Sequence, residues 1–410
     1  MGEASVAAGV EQGRAFAALF PAAPQDGLVQ VLAPMVRVSN LALRILSLEQ
    51  GATVAYSEEL VAKKLAQCTR VENPRLGTVE FYADHQKHFC LFQTCAAEKG
   101  RIVLQLGVAS VEDAVAAARV VAGDVAAIDI NMGCPKTFSI SGGMGAAMLS
   151  KPDDAAAIIR ALKNEVSIPV TAKIRMLKTR EETVAFMHTL VAAGVDAIAV
   201  HCRHVPQRSS TPAHWDELRH LVQAVPVPVL GNGDVVSRAS AEEWQTKSGC
   251  AGLMVARGAC DNPSCFALDG PSSTPVEMLH AHVRLSCRYE EVFQNMKYLY
   301  LRYYNTVVTP GTDFFNDLSI ARSRRQLCEV LDSYGASSSS EDAPAGGLPS
   351  LVAFYDELVA GRGVKGPMEE AGWGKGAAKH HEYHETMGIF TPEAMAKGSD
   401  SAVGDWVGGG

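Results

Sequence analysis

The sequence predicts an α/β protein built as a (β/α)8 barrel (a TIM barrel), followed by a small all-helical domain and a C-terminal tail. The chain has 410 residues, more than the roughly 250 that one such barrel needs. Eight short apolar runs, rich in Val, Ile, Leu and Ala, alternate with helical patterns. Such runs are typical of strands buried on both faces of a parallel sheet, and a count of eight favours a closed barrel over an open, doubly wound sheet.

The predicted strands follow one another at the spacing of βα units. They are Leu28–Ala33, Thr53–Ser57, Ile102–Leu106, Ala126–Ile130, Val170–Ile174, Ala197–His201, Val227–Gly231 and Gly252–Ala256. Between them, Thr179-Arg-Glu-Glu182 is a capping box for a helix that ends at Gly194, and Ser110 and Ser237 are suitable N-caps. This alternation predicts parallel strands joined by helical crossovers.

Two intervals between the predicted strands are long. Leu76–Thr94 alternates polar and apolar residues, so we predict an inserted β-hairpin that carries His85, Lys87 and His88. Met132–Ser150 is rich in glycine, and we predict a loop directly after the fourth strand.

These patterns divide the chain into four segments. We predict an N-terminal extension over 1–26, the barrel over 27–268, a helical domain over 269–335 and a Gly-rich, acidic, disordered tail over 336–410. Val276–Val308 and Ser319–Tyr334 carry the helical patterns of the third segment. Leu348–Leu358 predicts one short helix within the tail.

Composition places the chain among ordinary globular proteins. Hydrophobic residues make up 47% and charged residues 20%, which excludes a fibre, a collagen and a wholly disordered chain. The net charge of −8 belongs to the C-terminal part, because residues 326–410 hold 13 acidic and 5 basic side chains, whereas residues 1–325 hold 32 of each. Residues 1–325 are therefore neutral overall, and their net charge does not argue against an anionic substrate.

Several features indicate the compartment. No apolar run approaches the ~20 residues of a membrane span, and Met1–Phe20 lacks the apolar core of a signal peptide, with an organellar presequence as the alternative. The ten cysteines include no Cys-x-x-Cys pair, so we expect reduced thiols, no bound metal, and a cytoplasmic or else nuclear protein. The cluster of His380, His381 and His384 is interpreted as a solvated part of the tail.

Polar or reactive groups stand at the ends of all eight predicted strands. In a barrel of this kind the carboxyl ends of the strands build the active site. Each group alone is also explained as a surface residue just past a buried strand, but eight together predict a site. In chain order they are Pro34-Met35, Ser57-Glu58-Glu59, Gln105, Asp129 to Pro135, Lys173 with Arg175, His201, Gly231 to Asp234, and Ala256-Arg257-Gly258.

The last two strand ends predict a phosphate site. The loops after strands seven and eight commonly hold phosphate in barrels. Gly231-Asn-Gly-Asp234 and Ala256-Arg-Gly258 offer backbone amides and one guanidinium group, which forks onto phosphate oxygens.

Lys173 and Gln105 are expected to project into the barrel mouth. A buried Lys needs a charged or hydrogen-bond-accepting partner. A flavin ring is one such partner, since reduced flavin carries negative charge near its pyrimidine end. A structural ion pair with Asp129 or Glu58 is the other.

Cys134 lies on the glycine-rich loop, within Asn131-Met-Gly-Cys-Pro135. Three roles are open for it: buried packing, a nucleophile, or a proton donor. A thiol with a pKa near the reference of ~8.5 is mostly protonated at neutral pH, so it can donate a proton to a developing carbanion.

As a linked set, these motifs resemble the tRNA-dihydrouridine synthases, flavin enzymes that reduce uridine in tRNA. The resemblance runs from Leu28 to about Phe266 and is closest to the eukaryotic branch that acts on uridine 20 of tRNA. The helices after Pro263, with Asn295-Met-Lys-Tyr298, are similar to the RNA-binding helical domain of that family. The matching stretches are Val31 to Val36, Asn131 to Lys136, Ser141 to Ala147, Ala172 to Arg175, Ala199 to His201, Gly231 to Gly233, and Met254 to Arg257 with Asn262-Pro263.

The resemblance implies an FMN at the barrel mouth, reloaded by NADPH or NADH, and a tRNA substrate bound by a monomer. Cys134 would be the general acid that protonates C5 of uracil after hydride reaches C6, with Asn131 and Arg175 near the uracil. The residues implied to contact FMN are Pro34, Met35, Val36, Gln105, Lys173, His201, Asn232, Gly233, Asp234, Ala256 and Arg257.

The chain departs from the family pattern in two places. His201-Cys202-Arg203 stands where the family often has His-Gly-Arg, which puts close backbone approach at that turn in doubt. No double-stranded-RNA-binding pattern follows the helices, so the barrel rim and the helical domain would have to bind the RNA. Four tyrosines of that domain, interleaved with basic residues, would stack on bases or form a helix core, and the core is the favoured interpretation: Tyr298, Tyr300, Tyr303 and Tyr304.

Two other functions remain open at this point. One is an FMN barrel oxidoreductase that acts on a free small molecule, as a dihydroorotate dehydrogenase does. The other is a tRNA-binding module without catalysis. The helical domain argues against the first, and the presence of Cys134, Lys173 and Arg257 argues against the second.

Overall fold

The structure, a computed structural model, describes residues 2–23, 28–83, 90–268, 270–271, 273–304, 306–337 and 348–362. Within these ranges the strands are β1 (Val29–Leu32), β2 (Val54–Val61), β3 (Thr69–Asn73), β4 (Thr78–Tyr82), β5 (Cys90–Cys95), β6 (Ile102–Gly107), β7 (Ala127–Met132), β8 (Val170–Met176), β9 (Ala197–His204), β10 (Val229–Asn232) and β11 (Gly252–Val255). The helices are α1 (Gly2–Ala17), α2 (Leu41–Glu49), α3 (Ala62–Leu65), α4 (Val111–Val121), α5 (Thr137–Ser141), α6 (Pro152–Glu165), α7 (Arg180–Ala192), α8 (Trp215–Ala224), α9 (Arg238–Ser248), α10 (Arg257–Asp261), α11 (Pro275–Arg288), α12 (Phe293–Tyr303), α13 (Asp313–Ile320), α14 (Arg324–Ser337) and α15 (Leu351–Arg362).

Eight of the strands close into a barrel, and the predicted (β/α)8 fold is thereby confirmed. Around the barrel the order is β1-β11-β10-β9-β8-β7-β6-β2, and every paired neighbour is parallel. Each of the eight predicted apolar runs overlaps one of these strands. The helices that the capping signals indicated are also present, with the side chains of Ser110, Thr179 and Ser237 as N-caps of α4, α7 and α9.

The N-terminal helix α1 and the turn after it close one end of the barrel. Phe16 and Phe20 are fully buried together with the inward-facing Val31 and Tyr56 of the strands. Gln12 also accepts the backbone N–H of Val229, the first residue of β10, at 3.0 Å. The amino ends of the strands are thus sealed by apolar side chains, and the carboxyl ends are left for chemistry.

The insertion after β2 is larger than the predicted hairpin. It is an antiparallel sheet in the order β3-β4-β5, and its first strand precedes the predicted start at Leu76. This strand escaped prediction because its residues are mostly exposed and polar; it is anchored instead by Arg70, which binds both carboxylate oxygens of Asp124 at 2.7 and 2.8 Å. His85, Lys87 and His88 lie outside the described residues.

The helices after the barrel pack as one apolar cluster with it. The helix predicted over Ser319–Tyr334 corresponds to α14, which begins at Arg324, and α13 before it was not predicted. Three tyrosines of α12 and its C-terminal end, Tyr300, Tyr303 and Tyr304, are buried, so the core interpretation of these aromatic side chains is correct. They belong to the helical core, and none of the three presents its ring for stacking on a base.

Part of the predicted tail is helical. In α15 the side chains of Leu351 and Tyr355 are fully buried and belong to the same apolar cluster as α11 and α14. The cluster of His380, His381 and His384 lies outside the described residues. None of the helices in the described ranges combines the length and apolar character that a bilayer crossing requires.

Candidate active site

The carboxyl ends of the strands bring the predicted polar residues together in one layer. Side chains alternate between the two faces of a strand. A residue two positions after an inward-facing apolar residue therefore also points into the barrel. The strand register places three pairs of these residues level with each other on neighbouring strands: Gln105 with Asp129, Asn131 with Lys173, and Arg175 with His201.

Cys134 is held by its backbone on both sides. Asn131 Oδ1 accepts the N–H groups of Gly133 at 2.9 Å and of Cys134 at 3.1 Å, and the carbonyl oxygen of Cys134 accepts the N–H of Ala146 at 2.9 Å. Gly133 packs so closely on β8 that a Cβ there would lie 3.1 Å from the carbonyl carbon of Ile174. The position of the thiol is therefore fixed by neighbouring strands.

The segment predicted as a glycine-rich loop is partly helical. It contains α5 and a 3-10 helix over Gly145–Ser150. Gly145 has φ +56°, and a Cβ there would lie 2.3 Å from Ser139 Oγ and 3.0 Å from Cys134 Cβ. Only glycine fits this turn, which folds back over Cys134.

The Cys134 side chain is buried, and burial together with the nearby charge of Glu59 raises the pKa of its thiol to about 12. The thiol is therefore protonated at neutral pH. A thiol is a weak nucleophile compared with a thiolate, but it has a proton to give. Of the three roles that the sequence left open, the environment of Cys134 favours the proton donor.

Lys173 is buried in β8, and within the described ranges its ammonium group makes no hydrogen bond or salt bridge. The two carboxylates considered for a structural ion pair are engaged elsewhere. Asp129 Oδ2 accepts the Gln105 amide at 2.9 Å, and Glu58 Oε2 accepts the backbone N–H of Arg37 at 2.8 Å. Burial lowers the pKa of Lys173 to about 8. Asp129 still attracts this ammonium group electrostatically, but an ammonium group at the barrel mouth without a hydrogen bond among the described residues fits a ligand that is anionic or accepts hydrogen bonds.

Asp234, after β10, organises the predicted phosphate site. Its carboxylate accepts Arg203 Nη2 at 2.6 and 2.7 Å, Arg257 Nη2 at 2.7 Å and the backbone N–H of Ala213 at 2.9 Å. Burial alone would raise the pKa of Asp234, but these hydrogen bonds and the two guanidinium charges hold it below its usual value. The Arg257 side chain is still 41% exposed, so its remaining N–H groups are accessible to a ligand.

His201 is a neutral hydrogen-bond donor. Arg203 Nη1 lies 3.1 Å from His201 Nε2, and because a guanidinium only donates, Nε2 accepts and Nδ1 carries the proton. Burial and the charges of Arg175 and other cations lower the pKa of His201 well below its usual value. The buried Nδ1 has no hydrogen-bond partner among the described residues, and the same holds for Oδ1 of Asn232.

Two further predicted groups are restrained by their own neighbours. Arg175 Nη1 donates to the carbonyls of His204 at 3.3 Å and Gln207 at 3.1 Å, and burial lowers its pKa to about 10. In the segment Pro34–Val36, the backbone N–H of Met35 is occupied by Ser39 Oγ at 3.1 Å. A ligand contact through the Met35 amide is therefore not favoured, although the segment does lie at the barrel mouth, directly after β1.

A family model described as dihydrouridine synthase (Dus) matches residues 31–323 of this chain. The chain belongs to the dihydrouridine synthase family. The matched region includes the carboxyl ends of all eight barrel strands and continues through α13. The family predicted from the motifs is thereby confirmed.

Two fungal proteins similar to this chain are named for position 20 of tRNA, and a human protein is named for positions 20a and 20b. The chain is 39% identical over 277 residues to the tRNA-dihydrouridine(20) synthase [NAD(P)+] of Schizosaccharomyces pombe, in an alignment that covers 65% of this chain and 57% of that protein. It is 32% identical to the Saccharomyces cerevisiae protein of the same name, with 77% and 86% covered. It is 31% identical to the human tRNA-dihydrouridine(20a/20b) synthase [NAD(P)+]-like protein, with 62% and 74% covered. This chain thus spans less than two thirds of the S. pombe relative.

Two residues of this Dus-family site were not predicted from the sequence. Arg203 was noticed only beside Cys202, yet alternation along β9 turns Arg203 inward with His201, while Cys202 packs in the outer apolar layer. Glu59 was noted at a strand end without a role, and it lies beneath the Cys134 loop. The inward direction of Arg203 could have been predicted, because it lies two residues after His201. The inward direction of Glu59 could not, because it depends on an irregularity in β2 that no sequence pattern indicates.

Proposed function

We propose that this protein is a tRNA-dihydrouridine synthase that reduces the C5=C6 bond of a D-loop uridine, at position 20, with bound FMN and with NADPH or NADH as reductant. The observation that carries the proposal is the buried Cys134 thiol, kept protonated beside the cationic Lys173 and Arg175 in a Dus-family barrel. The names of the S. pombe and S. cerevisiae relatives support tRNA as substrate, position 20 and the nicotinamide reductant.

The polar atoms at the barrel mouth fit an FMN. His201 Nδ1 and Asn232 Oδ1, which have no hydrogen-bond partner among the described residues, and Lys173 Nζ together offer two donors and one acceptor to the ring and ribityl chain, and Arg257 offers N–H groups to the phosphate. When bound and reduced, FMN supplies the hydride that uracil accepts at C6. The full set that we propose to hold FMN is Pro34, Met35, Val36, Gln105, Lys173, His201, Asn232, Gly233, Asp234, Ala256 and Arg257.

The protein itself supplies a proton and positive charge. Cys134 gives its Sγ proton to C5 of uracil as negative charge develops there and on O4. Arg175, fixed by two backbone carbonyls, offers a guanidinium to that charge, and each well-placed donor of this kind is worth about 3–4 kcal/mol in the transition state. Asn131 uses its carbonyl oxygen to hold the Cys134 loop, so we assign it to positioning the acid.

A uracil inside folded tRNA has to leave its stack to reach the barrel mouth. We propose that residues 269–335 and the barrel rim bind the RNA. Because Tyr300, Tyr303 and Tyr304 are buried and the Tyr298 ring is covered by Arg37 at 3.9 Å, charged surface groups rather than tyrosine rings would make the contacts. We further propose a monomer located in the cytoplasm.

The deciding experiment maps dihydrouridine by mass spectrometry in tRNA that lacks this modification, after incubation with the protein, FMN and NADPH. We expect a gain of two daltons at uridine 20 and none when NADPH is omitted. No gain at any uridine, while NADPH still bleaches the flavin absorbance, would contradict the proposal and favour a small-molecule acceptor. A gain at another D-loop position would overturn the assignment of uridine 20 alone.

A further inference from the structure

Glu59 reaches the barrel interior because β2 is irregular. The pairing of β2 with β6 shifts between Tyr56 and Glu59, so that Tyr56 lies level with Val103 and Glu59 with Gln105. Three residues of β2 therefore span two of β6, as in a β-bulge, and such bulges re-aim side chains next to active sites. With regular alternation from the inward-facing Tyr56, Glu59 would point to the helices; the shift turns it inward.

The Glu59 carboxyl group is enclosed under the segment that carries the thiol. Ser139 Oγ donates to Glu59 Oε1 at 3.5 Å, and a Cβ on Gly107 would lie only 2.5 Å from the same oxygen. A Cβ built on Gly145 would lie close to both Ser139 Oγ and Cys134 Cβ. Ser139 therefore lies next to Cys134 as well as to Glu59. Glu59 Oε2 is buried and has no hydrogen-bond partner among the described residues.

The charges around this cluster act in opposite directions. Burial raises the pKa of Glu59 to about 7, although Asn131, Cys134, Ser139 and Lys173 lower it. Burial and then Glu59 raise the pKa of Cys134, while Lys136 and Ser139 lower it. The other charged groups that face the pair are Lys136 from the loop and Lys173 and Arg175 from β8, and Lys173 in turn faces Asp129 from β7. Glu59 is the acidic group that opposes ionisation of the thiol.

We propose that Glu59 is a positioning residue for the acid: as a carboxylate it opposes ionisation of the Cys134 thiol, and in its protonated form it returns a proton to the thiolate after each uridine is reduced. The proton balance is complete. Cys134 Sγ–H gives its proton to C5 and becomes a thiolate, the Glu59 carboxylic acid then protonates Sγ and becomes a carboxylate, and solvent reprotonates Glu59. This step rests on the proposed function, but the effect of Glu59 on the ionisation of Cys134 does not.

The first test measures that ionisation directly. In the FMN-bound protein, the rate at which a maleimide alkylates Cys134 is followed by peptide mass spectrometry from pH 6 to pH 10. Replacing a like charge by a neutral amide in Glu59→Gln should shift the profile down by about one pH unit, which is about tenfold faster alkylation at a fixed pH. The matched control Glu58→Gln removes the adjacent carboxylate, which binds the Arg37 backbone, and should leave the profile in place.

An unchanged profile in Glu59→Gln would overturn the proposal, as would an equal shift in Glu58→Gln. If Glu59→Gln does not accumulate as folded protein, the wild-type profile decides. A thiol coupled to a carboxyl group that ionises near pH 7 gains less than a decade in alkylation rate per pH unit around that pH. A slope of one decade per unit throughout would show that the two groups are not coupled.

The second test measures the returned proton. With excess tRNA lacking the modification, Glu59→Gln should reduce one uridine per enzyme at the wild-type rate and then continue at least about tenfold more slowly. Equal first and later turnovers would refute the proton return. If neither wild type nor variant reduces tRNA, the proposed function fails, and the alkylation profile still reports independently on Glu59.

Discussion

The Cys134 thiol is the residue on which the proposed chemistry depends. Its pKa of about 12 keeps it protonated at every pH at which the protein would work. We expect Cys134→Ala to retain FMN and to be reduced by NADPH, yet to convert uridine about 10²–10⁴-fold more slowly, the usual contribution of a general acid. Stopped-flow flavin bleaching and dihydrouridine mapping separate the two steps. Cys68→Ala, which removes a thiol outside the site, is the control, and near-normal conversion by Cys134→Ala would refute its role.

Arg257 is the cation of the proposed phosphate site that remains most open to solvent. Its hydrogen bond to Asp234 fixes one nitrogen at 2.7 Å, and the others are available to phosphate. A hydrogen bond to a charged group is worth about 1.5–3 kcal/mol, so Arg257→Ala should weaken FMN binding by about 10–100-fold. Equilibrium dialysis of the flavin measures this, with the surface variant Lys247→Ala as control. Equal dissociation constants would remove Arg257 from the phosphate site.

The predictability of single residues follows from strand regularity. Lys173, His201 and Asn232 lie at the barrel mouth, as predicted, because the strand pairing is regular up to each of these residues and alternation there determines the facing side. Glu59 was not, because one extra residue in β2 reverses the alternation beyond Tyr56. The hydrogen bonds that Asn131 and Asp234 make with backbone groups were equally hidden, since they depend on loops whose conformation is set by packing.

Among the elements, the connection between α11 and α12 joins the helical region to the barrel through Glu291. Its Oε1 accepts the N–H of Ala42 in α2 at 3.0 Å, and its Oε2 accepts Ser286 Oγ at 2.9 Å, which in turn accepts Tyr300 OH at 3.0 Å. Burial raises the pKa of Glu291 to about 7. The folded state therefore holds a proton on this carboxyl group at pH values where the unfolded chain has lost it.

This proton uptake gives a pH dependence with a definite sign. Between about pH 4.5 and 7 the folded state binds more protons, so the free energy of unfolding falls as pH rises, by up to about 1.4 kcal/mol per pH unit for one such group. Glu291→Gln should reduce this slope without abolishing it, because Glu59 and Asp129 titrate in the same window. Urea unfolding at pH 5 and pH 7 measures it. The control Glu217→Gln, which changes an exposed ion pair, should keep the wild-type slope. A wild-type slope in Glu291→Gln as well would show that Glu291 does not take up a proton on folding.

Helices and strands could be predicted where the burial of one face, or of both, leaves a regular pattern of apolar residues in the sequence. The barrel strands and the capped helices α4, α7 and α9 satisfy that condition. Strand β3 does not, because it is an exposed strand at the edge of the three-stranded sheet, next to β4, and is tied to the barrel by the Arg70–Asp124 ion pair. Helix α13 was also missed, because Leu318 is its one buried residue and burial therefore leaves little apolar period in its sequence.

At the scale of the whole molecule, the two ends of the barrel differ: apolar packing at the amino ends of the strands stabilises the fold, and the proposed chemistry takes place at the carboxyl ends. Three of the buried polar atoms that have no hydrogen-bond partner among the described residues lie at the carboxyl ends of strands, on His201, Asn232 and Glu59, and leaving such atoms unpaired costs folding free energy unless a ligand satisfies them. The amino ends carry the opposite arrangement, in which α1 and the turn after it fill the barrel floor with apolar side chains. The sequence pattern of residues 1–26 indicated only an extension, because its contacts are with strands far along the chain.

The division between the two ends predicts a mutation that changes stability alone. Phe16 is fully buried against Phe20 at a ring-centroid distance of 5.1 Å and against the inward-facing strand residues, whereas Arg14 on the same helix is exposed. Phe16→Ala should lower the free energy of unfolding by about 3–5 kcal/mol, the usual cost of such a cavity, while Arg14→Ala should change it by less than about 0.5 kcal/mol. FMN affinity should be unchanged in both, because the floor lies at the opposite end of the strands from Lys173 and Arg257. Urea unfolding and flavin dialysis on the same preparations decide the matter. A loss of FMN affinity in folded Phe16→Ala would show that the two ends of the barrel are coupled.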